Sequence, residues 1–154
     1  MNGAAGPKVK HILCGVDGSD PACRAAEHAA WLAQALNAKL TFLAVAREAG
    51  NSAALDAYRQ AESLGEERVP LMSRDAEQCL NAAQSSASAL GNISTQRLIR
   101  IGKVAQTVMS VAFEIEADLV VLGRHDHSEL HRSIVGSVSR TIAAKSKLNI
   151  LQIW

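Results

Sequence analysis

The chain has 154 residues and nearly balanced charge, with 16 Lys and Arg against 15 Asp and Glu and a formal net charge of +1. This balance provides no broad basic surface for nucleic acid or an anionic membrane, so we expect neither partner. The length predicts one domain over residues 1–154, with an ordered core over 8–154. Without an apolar signal segment in residues 1–10 or a membrane-length apolar run, we expect a cytoplasmic protein.

The first predicted strand, residues 11–16, is apolar and runs into the turn Asp17-Gly18-Ser19. Asp20, which precedes Pro21, is predicted to cap the following helix. Asn37 is the predicted end of this helix. Its core-facing stripe is predicted to be alanine-rich and consists of Ala22, Ala26, Ala29, Ala33 and Leu36.

Strands and helices alternate along the rest of the chain. Strands are predicted at residues 40–45, 95–101, 119–122 and 148–154, and helices at 75–90, 104–117 and 136–145. The segment 48–74 has a weaker pattern and is predicted to be irregular, with a helical piece at 55–64. The second strand is nearly all apolar, as expected of a strand covered on both faces by helices. The alternation of strands with helices predicts an open, doubly wound, five-stranded parallel sheet with helices on both faces.

Three cysteines, Cys14, Cys23 and Cys79, form an odd set without paired spacing. The sequence therefore predicts neither a disulfide framework nor a zinc site. Cys14 lies within an apolar run and is predicted to be a core residue.

Two loops are candidates for ligand binding. Ligands of open parallel sheets lie beyond the carboxyl ends of the strands, where the strand order reverses. If the first and fourth strands are neighbours, Asp17–Ser19 and residues 123–137 share this crevice. Gly136-Ser137-Val138-Ser139 starts a helix whose free amides suit phosphate, although by spacing alone Ser137 as a helix cap is the favoured interpretation. The glycine motifs of dinucleotide and P-loop folds and the G-x-S-x-G elbow of hydrolases are absent from the sequence.

Three segments together resemble the universal stress protein family, and the resemblance covers nearly the whole chain. They are Val16-Asp17-Gly18-Ser19, Ala117-Asp118-Leu119-Val120-Val121-Leu122-Gly123 and Gly136-Ser137-Val138-Ser139. ATP-binding members of the family carry the motif G-x2-G-x9-G-[S/T]. Gly123, Gly136 and Ser137 match its first glycine, third glycine and hydroxyl residue at the same spacing.

The resemblance implies an adenine nucleotide alpha hydrolase-like fold and a regulatory homodimer in the stress response. It implies that ATP, with or without Mg²⁺, binds between the first and fourth strands, and that the last strand forms the dimer interface. It implies no catalytic residue and no protein metal ligand. The nucleotide-binding residues implied are Asp17, Val45, Leu122, Gly123, His125, Gly136, Ser137, Val138 and Ser139.

The second glycine of the motif is replaced by Asp126. A carboxylate about 4 Å from a phosphate charge would oppose binding by roughly 4 kcal/mol at a surface dielectric near 20. Arg124, His125 and Arg132 are close in sequence and could offset this repulsion, as could a bridging Mg²⁺. A ligand-free interaction module of the same fold, with phosphate binding lost through Asp126, therefore remains an alternative.

His125, Asp126, His127 and His131 form a second cluster, in which His127 and His131 would share a helix face. A metal-dependent enzyme is a third hypothesis on this basis. The ligand set is incomplete, however, and a solvated polar loop is the simpler interpretation.

Overall fold

The computed structural model describes residues 8–46, 74–124 and 135–154. These ranges contain five strands and four helices. In chain order they are β1 His11–Gly15, α1 Asp20–Leu36, β2 Lys39–Ala46, α2 Arg74–Leu90, β3 Thr95–Ile101, α3 Val104–Glu114, β4 Leu119–Gly123, α4 Val135–Lys145 and β5 Asn149–Ile153. The predicted helical piece at 55–64 lies outside the described residues.

The strands form one parallel sheet in the order β3-β2-β1-β4-β5. From β1 the chain builds one half of the sheet through β2 and β3, and then returns to place β4 on the other side of β1. The predicted α/β class, parallel sheet and adjacency of the first and fourth strands are confirmed. The strand order therefore reverses between β1 and β4.

Side chains that alternate along the strands belong to two apolar layers. On β1, Ile12 and Cys14 join the layer that contains α1 and α2, whereas Leu13 joins the layer of α3 and α4. All three side chains are fully buried. A strand covered on both faces has no solvated side to keep polar, which explains why the sequence shows apolar runs rather than alternation.

The N-cap of helix α1 is one residue earlier than predicted. Ser19 is the N-cap, because its backbone is extended and its hydroxyl accepts a hydrogen bond from the Ala22 amide at 3.3 Å. Asp20 and Pro21 are the first two helical residues, so the prediction that Asp20 caps the helix was wrong. Asn37 ends the helix in a left-handed conformation with φ of 52°, as predicted.

Small side chains let α1 lie close to the sheet and to α2. The predicted alanines Ala22, Ala26, Ala29 and Ala33 are buried. On α2, the predicted positions Leu80, Ala83 and Ala87 are buried as well. Leu36 and Leu90 were predicted at the ends of these stripes, but they are exposed because each is the last residue of its helix.

Cys23 of α1 and Cys79 of α2 are joined by a disulfide, with their Cα atoms 5.4 Å apart. The prediction of no disulfide was wrong. Their sequence separation of 56 gives no local spacing signal, and it is the packing of α1 against α2 that brings the pair together. Cys14 is free and buried, as predicted.

The amino ends of β1 and β4 are held together by Asp118. Its Oδ2 atom accepts hydrogen bonds from the amides of Lys10 at 2.7 Å and His11 at 3.0 Å.

Among the described helices, none combines the length and apolar character that a membrane span requires.

Candidate functional site

The candidate site is the crevice at the carboxyl ends of β1 and β4. The two strands pair in parallel, with Cys14 opposite Val121, so Val16-Asp17-Gly18-Ser19 leaves the sheet beside Gly123 and Arg124. This is the switch point at which ligands of open parallel sheets bind. The structure thus brings together two of the three sequence segments on which the family resemblance rests.

Asp17 organises the turn that follows β1. Its Oδ1 atom accepts hydrogen bonds from the Ser19 amide at 3.0 Å and the Ser19 hydroxyl at 2.6 Å. Gly18 supports the turn with φ of 85°, which a residue with a side chain adopts rarely. Asp17 is exposed and therefore places a carboxylate at the mouth of the crevice.

Gly123, the first glycine of the motif, packs directly against the first turn of α1. A Cβ atom at this position would lie 2.4 Å from the Pro21 carbonyl carbon and 2.5 Å from the Ala22 nitrogen. The corresponding Cβ at Gly15 would meet the end of the Leu122 side chain at 2.7 Å. The fold itself therefore requires glycine at position 123, whether or not a ligand approaches it.

Helix α4 contains the other end of the motif. It begins at Val135, so Gly136 and Ser137 are its second and third residues and Ser137 is not the N-cap. Ser139, two residues further along, is buried, and its hydroxyl accepts a hydrogen bond from the side-chain Nε2 of Gln152 on β5. Val138 is buried in the layer of α3 and α4.

The remaining predicted residues differ in accessibility. Leu122 is buried, and Val45 at the end of β2 is half-buried in the same apolar layer. His125 lies outside the described residues. The same holds for Asp126, Arg132, His127 and His131, which carry the charge and metal hypotheses. Within ranges 8–46, 74–124 and 135–154, no three His, Cys, Asp or Glu side chains are placed to share a metal ion.

Two arginines meet Trp154 at the carboxyl edge of β4 and β5. The guanidinium of Arg124 lies 3.8 Å from the centre of the Trp154 ring, and Arg24 Nε donates a hydrogen bond to the Trp154 carbonyl oxygen at 2.7 Å. The Arg124 amide also donates to the Ile153 carbonyl oxygen at 2.6 Å. Sequence reasoning missed this cluster, because its members are far apart in the chain. It related Arg124 only to Asp126, whereas the guanidinium lies on Trp154.

Cys14 lies at the base of the crevice in β1 but is not a nucleophile at neutral pH. Complete burial raises the pKa of its thiol to about 12. A thiol in this environment remains protonated and behaves as a small apolar core residue.

Two depressions of the described surface lie away from the crevice. One, of about 690 Å³, is open and polar and lies beside α2 and the start of β3. The other, of about 230 Å³, lies at the amino ends of the strands beside Asp118 and Lys147. Neither includes a residue that was predicted to bind nucleotide.

Comparisons with known proteins agree with this architecture. A putative universal stress protein of Staphylococcus aureus (strain USA300) is 29% identical over 145 residues, which cover 94% of this chain and 83% of the relative. The universal stress protein UspA of Lactobacillus plantarum superposes with a TM-score of 0.73 at 27% identity, covering 96% of this chain and 99% of that one.

A second solved structure is a universal stress protein in complex with cAMP. It superposes with a TM-score of 0.69 at 26% identity, covering 96% of this chain and 99% of that one. The sequence profile described as "Universal stress protein family" matches residues 8–153. The matched region includes all the strands and helices of the described fold. The chain therefore belongs to the universal stress protein family.

Proposed function

We propose that this protein is a regulatory module that binds an adenine nucleotide, ATP in the first instance, in the crevice between β1 and β4. The observation that carries the proposal is the meeting of the Asp17 turn and the Gly123 end of β4 at the switch point of the sheet. A structure of similar fold, 26% identical, was crystallised with cAMP. An adenine nucleotide is therefore the class of ligand to test first.

In this proposal the exposed Asp17 carboxylate accepts hydrogen bonds from the adenine or ribose. Val45 flanks the base, while the backbone at Leu122, Gly123 and His125 and the start of α4 bind the phosphates. The α4 contribution comes from Gly136, Ser137, Val138 and Ser139. The amides at the start of a helix favour anions, which supports this orientation of the nucleotide. Regulation rather than catalysis is proposed, in keeping with the family, and the cytoplasm is the proposed location.

The first experiment is a calorimetric titration with ATP, with and without Mg²⁺, after the purified protein has been checked by mass spectrometry for bound nucleotide. The proposal expects saturable binding with one nucleotide per chain. Binding that requires Mg²⁺ would place Asp126 beside the phosphates, because a divalent cation can bridge the two anionic groups. Absence of binding up to millimolar nucleotide would contradict the proposal.

Asp126→Gly restores the glycine of the motif and removes the opposing charge. If the rest of the site is intact, ATP binding should strengthen by roughly tenfold or more, because a repulsion of several kcal/mol is removed. Glu116→Gly is the matched control, since it also exchanges one carboxylate for glycine. Glu116 precedes the opposite end of β4 and has φ of 52°, which glycine adopts readily. The control should leave ATP affinity unchanged.

A second candidate function is favoured by a specific observation. Gly123 packs against α1, and the Ser139 hydroxyl accepts a hydrogen bond from the Gln152 side chain, so two of the predicted nucleotide-binding residues have roles within the fold. A ligand-free interaction module would retain both of them. Failure of both the natural chain and Asp126→Gly to bind ATP would favour this function, and partners would then be sought by cross-linking.

We also propose that the protein forms a homodimer through β5. This strand is the last in the sheet order, and unpaired backbone groups at a sheet edge readily pair with a second chain.

Trp154, which follows β5, is 59% exposed. Trp154→Ala should weaken the dimer by roughly tenfold or more, because tryptophan side chains buried at interfaces often contribute a large share of the binding energy. Phe113→Ala on α3, where the ring is 65% exposed, is the control. A monomer of the natural chain in micromolar light scattering would refute the dimer.

A further inference from the structure

The Cys23–Cys79 pair connects two helices that already pack well without it. Apolar residues of α1 and α2 share one buried layer, which includes Ala26 and Ala30 of α1 and Leu80 and Ala83 of α2. A domain of this length with a continuous core does not need a disulfide in order to fold, unlike small secreted domains. The bond can therefore open without dismantling the helix layer.

The backbone accommodates the pair in the oxidised form. The Cα atoms are 5.4 Å apart, within the usual range of about 4.4 to 6.8 Å for disulfides. In the reduced form, rotation of the side chains separates the two sulfurs to van der Waals contact, and each thiol then packs as a small apolar side chain. Both redox states are thus compatible with the same packing of α1 on α2.

Access to the pair is asymmetric. Cys79 is only 4% exposed, whereas Cys23 is partly accessible at the edge of the layer. Thiol–disulfide exchange requires that an attacking thiolate reach one sulfur of the bond, and Cys23 is the more accessible residue of the two. Cys14 cannot compete for either partner, because it is fully buried within β1 and belongs to the sheet.

We propose that Cys23 and Cys79 form a reversible dithiol–disulfide pair that makes this protein responsive to peroxide and to the glutathione redox state. Oxidation by hydrogen peroxide removes two electrons and two protons from the thiols, forms one S–S bond and releases two molecules of water. Reduction by two molecules of glutathione returns both thiols and yields glutathione disulfide.

Oxidation fixes the start of α1 to α2. The Cys23 amide donates a hydrogen bond to the Ser19 carbonyl oxygen at 2.9 Å, and Ser19 caps α1 at the mouth of the crevice. The disulfide is therefore attached to α1 one helical turn from Ser19, at the edge of the candidate site. Closing a loop across 56 residues also restricts the unfolded chain, so oxidation should raise Tm by roughly 10 °C.

The test uses the full chain, reduced and then treated with a small excess of hydrogen peroxide under native conditions. Free thiols are alkylated and mapped by peptide mass spectrometry. We expect Cys23 and Cys79 to become linked within one chain, with a mass lower by two hydrogens. Oxidised protein equilibrated in glutathione buffers should return to the dithiol form without unfolding, as followed by circular dichroism.

Matched variants keep the result interpretable. Cys23→Ser changes the partly accessible cysteine to a residue of similar size and should remove both the linkage and the peroxide-dependent rise in Tm. Cys14→Ala should retain both effects. Two outcomes would overturn the proposal: Cys23 and Cys79 still alkylated after peroxide, or a bond that glutathione cannot reduce in the native protein. These thiol measurements do not depend on nucleotide binding.

Discussion

Gly123→Ala tests whether the first glycine of the motif is required by packing. The added Cβ would lie 2.4 to 2.6 Å from three main-chain atoms of Pro21 and Ala22, whereas ordinary contact begins at 3.4 Å. The first turn of α1 would have to move by 0.8 to 1.0 Å, the difference between these distances. Main-chain atoms cannot rotate away, so we expect a loss of about 1 to 3 kcal/mol in the free energy of unfolding.

The assay is urea unfolding monitored by circular dichroism, together with Tm. For a chain of this length the expected loss corresponds to a fall in Tm of roughly 2 to 12 °C. Gly15→Ala is the matched control on the neighbouring strand. There the Cβ meets only the end of the Leu122 side chain, which can shift, so a smaller loss is expected. Equal stability of Gly123→Ala and the natural chain, or a larger effect at Gly15, would refute the packing argument.

Three further predictions concern single residues. Ser19→Ala should lower the free energy of unfolding by about 1 kcal/mol, because the Ala22 amide loses its cap, and chemical denaturation measures this change. Asn37→Gly should be neutral or stabilising in thermal melts, whereas Asn37→Ala should be destabilising by about 1 kcal/mol, because the φ of 52° suits glycine. Burial raises the pKa of Cys14 from 9.0 to about 12, so its contribution to stability is complete below pH 9 and is lost as pH rises from 9 to 12. Urea unfolding across this range should show the loss in the natural chain and a weaker dependence in Cys14→Ala.

The fold was predictable because its signals are local and repeated. The strand predicted at residues 95–101 has the same bounds in the structure. The alanine stripe of α1 was equally clear, since it depends on helical spacing within one element. Errors occurred where two adjacent residues can perform the same task. Ser19 and Asp20 are both good caps, and the choice depends on the Asp17 carboxylate that holds Ser19 in the turn.

The site was less predictable because its contacts join distant parts of the chain. The bond between Cys23 and Cys79 spans 56 residues, and the contact of Arg24 with Trp154 spans 130. The sequence has no periodic signal for such pairs, since the packing of α1 against α2 brings the cysteines together and the position of α1 on the sheet brings Arg24 to Trp154. The hydrogen bond from Gln152 to Ser139 is similar, because it depends on how β5 lies beside α4.

The packing of Gly123 changes which residues are informative about nucleotide binding. A glycine that the α1 contact requires will be retained in a protein of this fold even if no nucleotide binds, so its presence in the motif is weak support for a ligand. Asp17 is also needed by the turn, since Ser19 donates two hydrogen bonds to its Oδ1 atom. Substitution of either residue would thus mix folding effects with binding effects. Asp126→Gly avoids this difficulty, because it looks for a gain of affinity, and loss of stability cannot produce a gain.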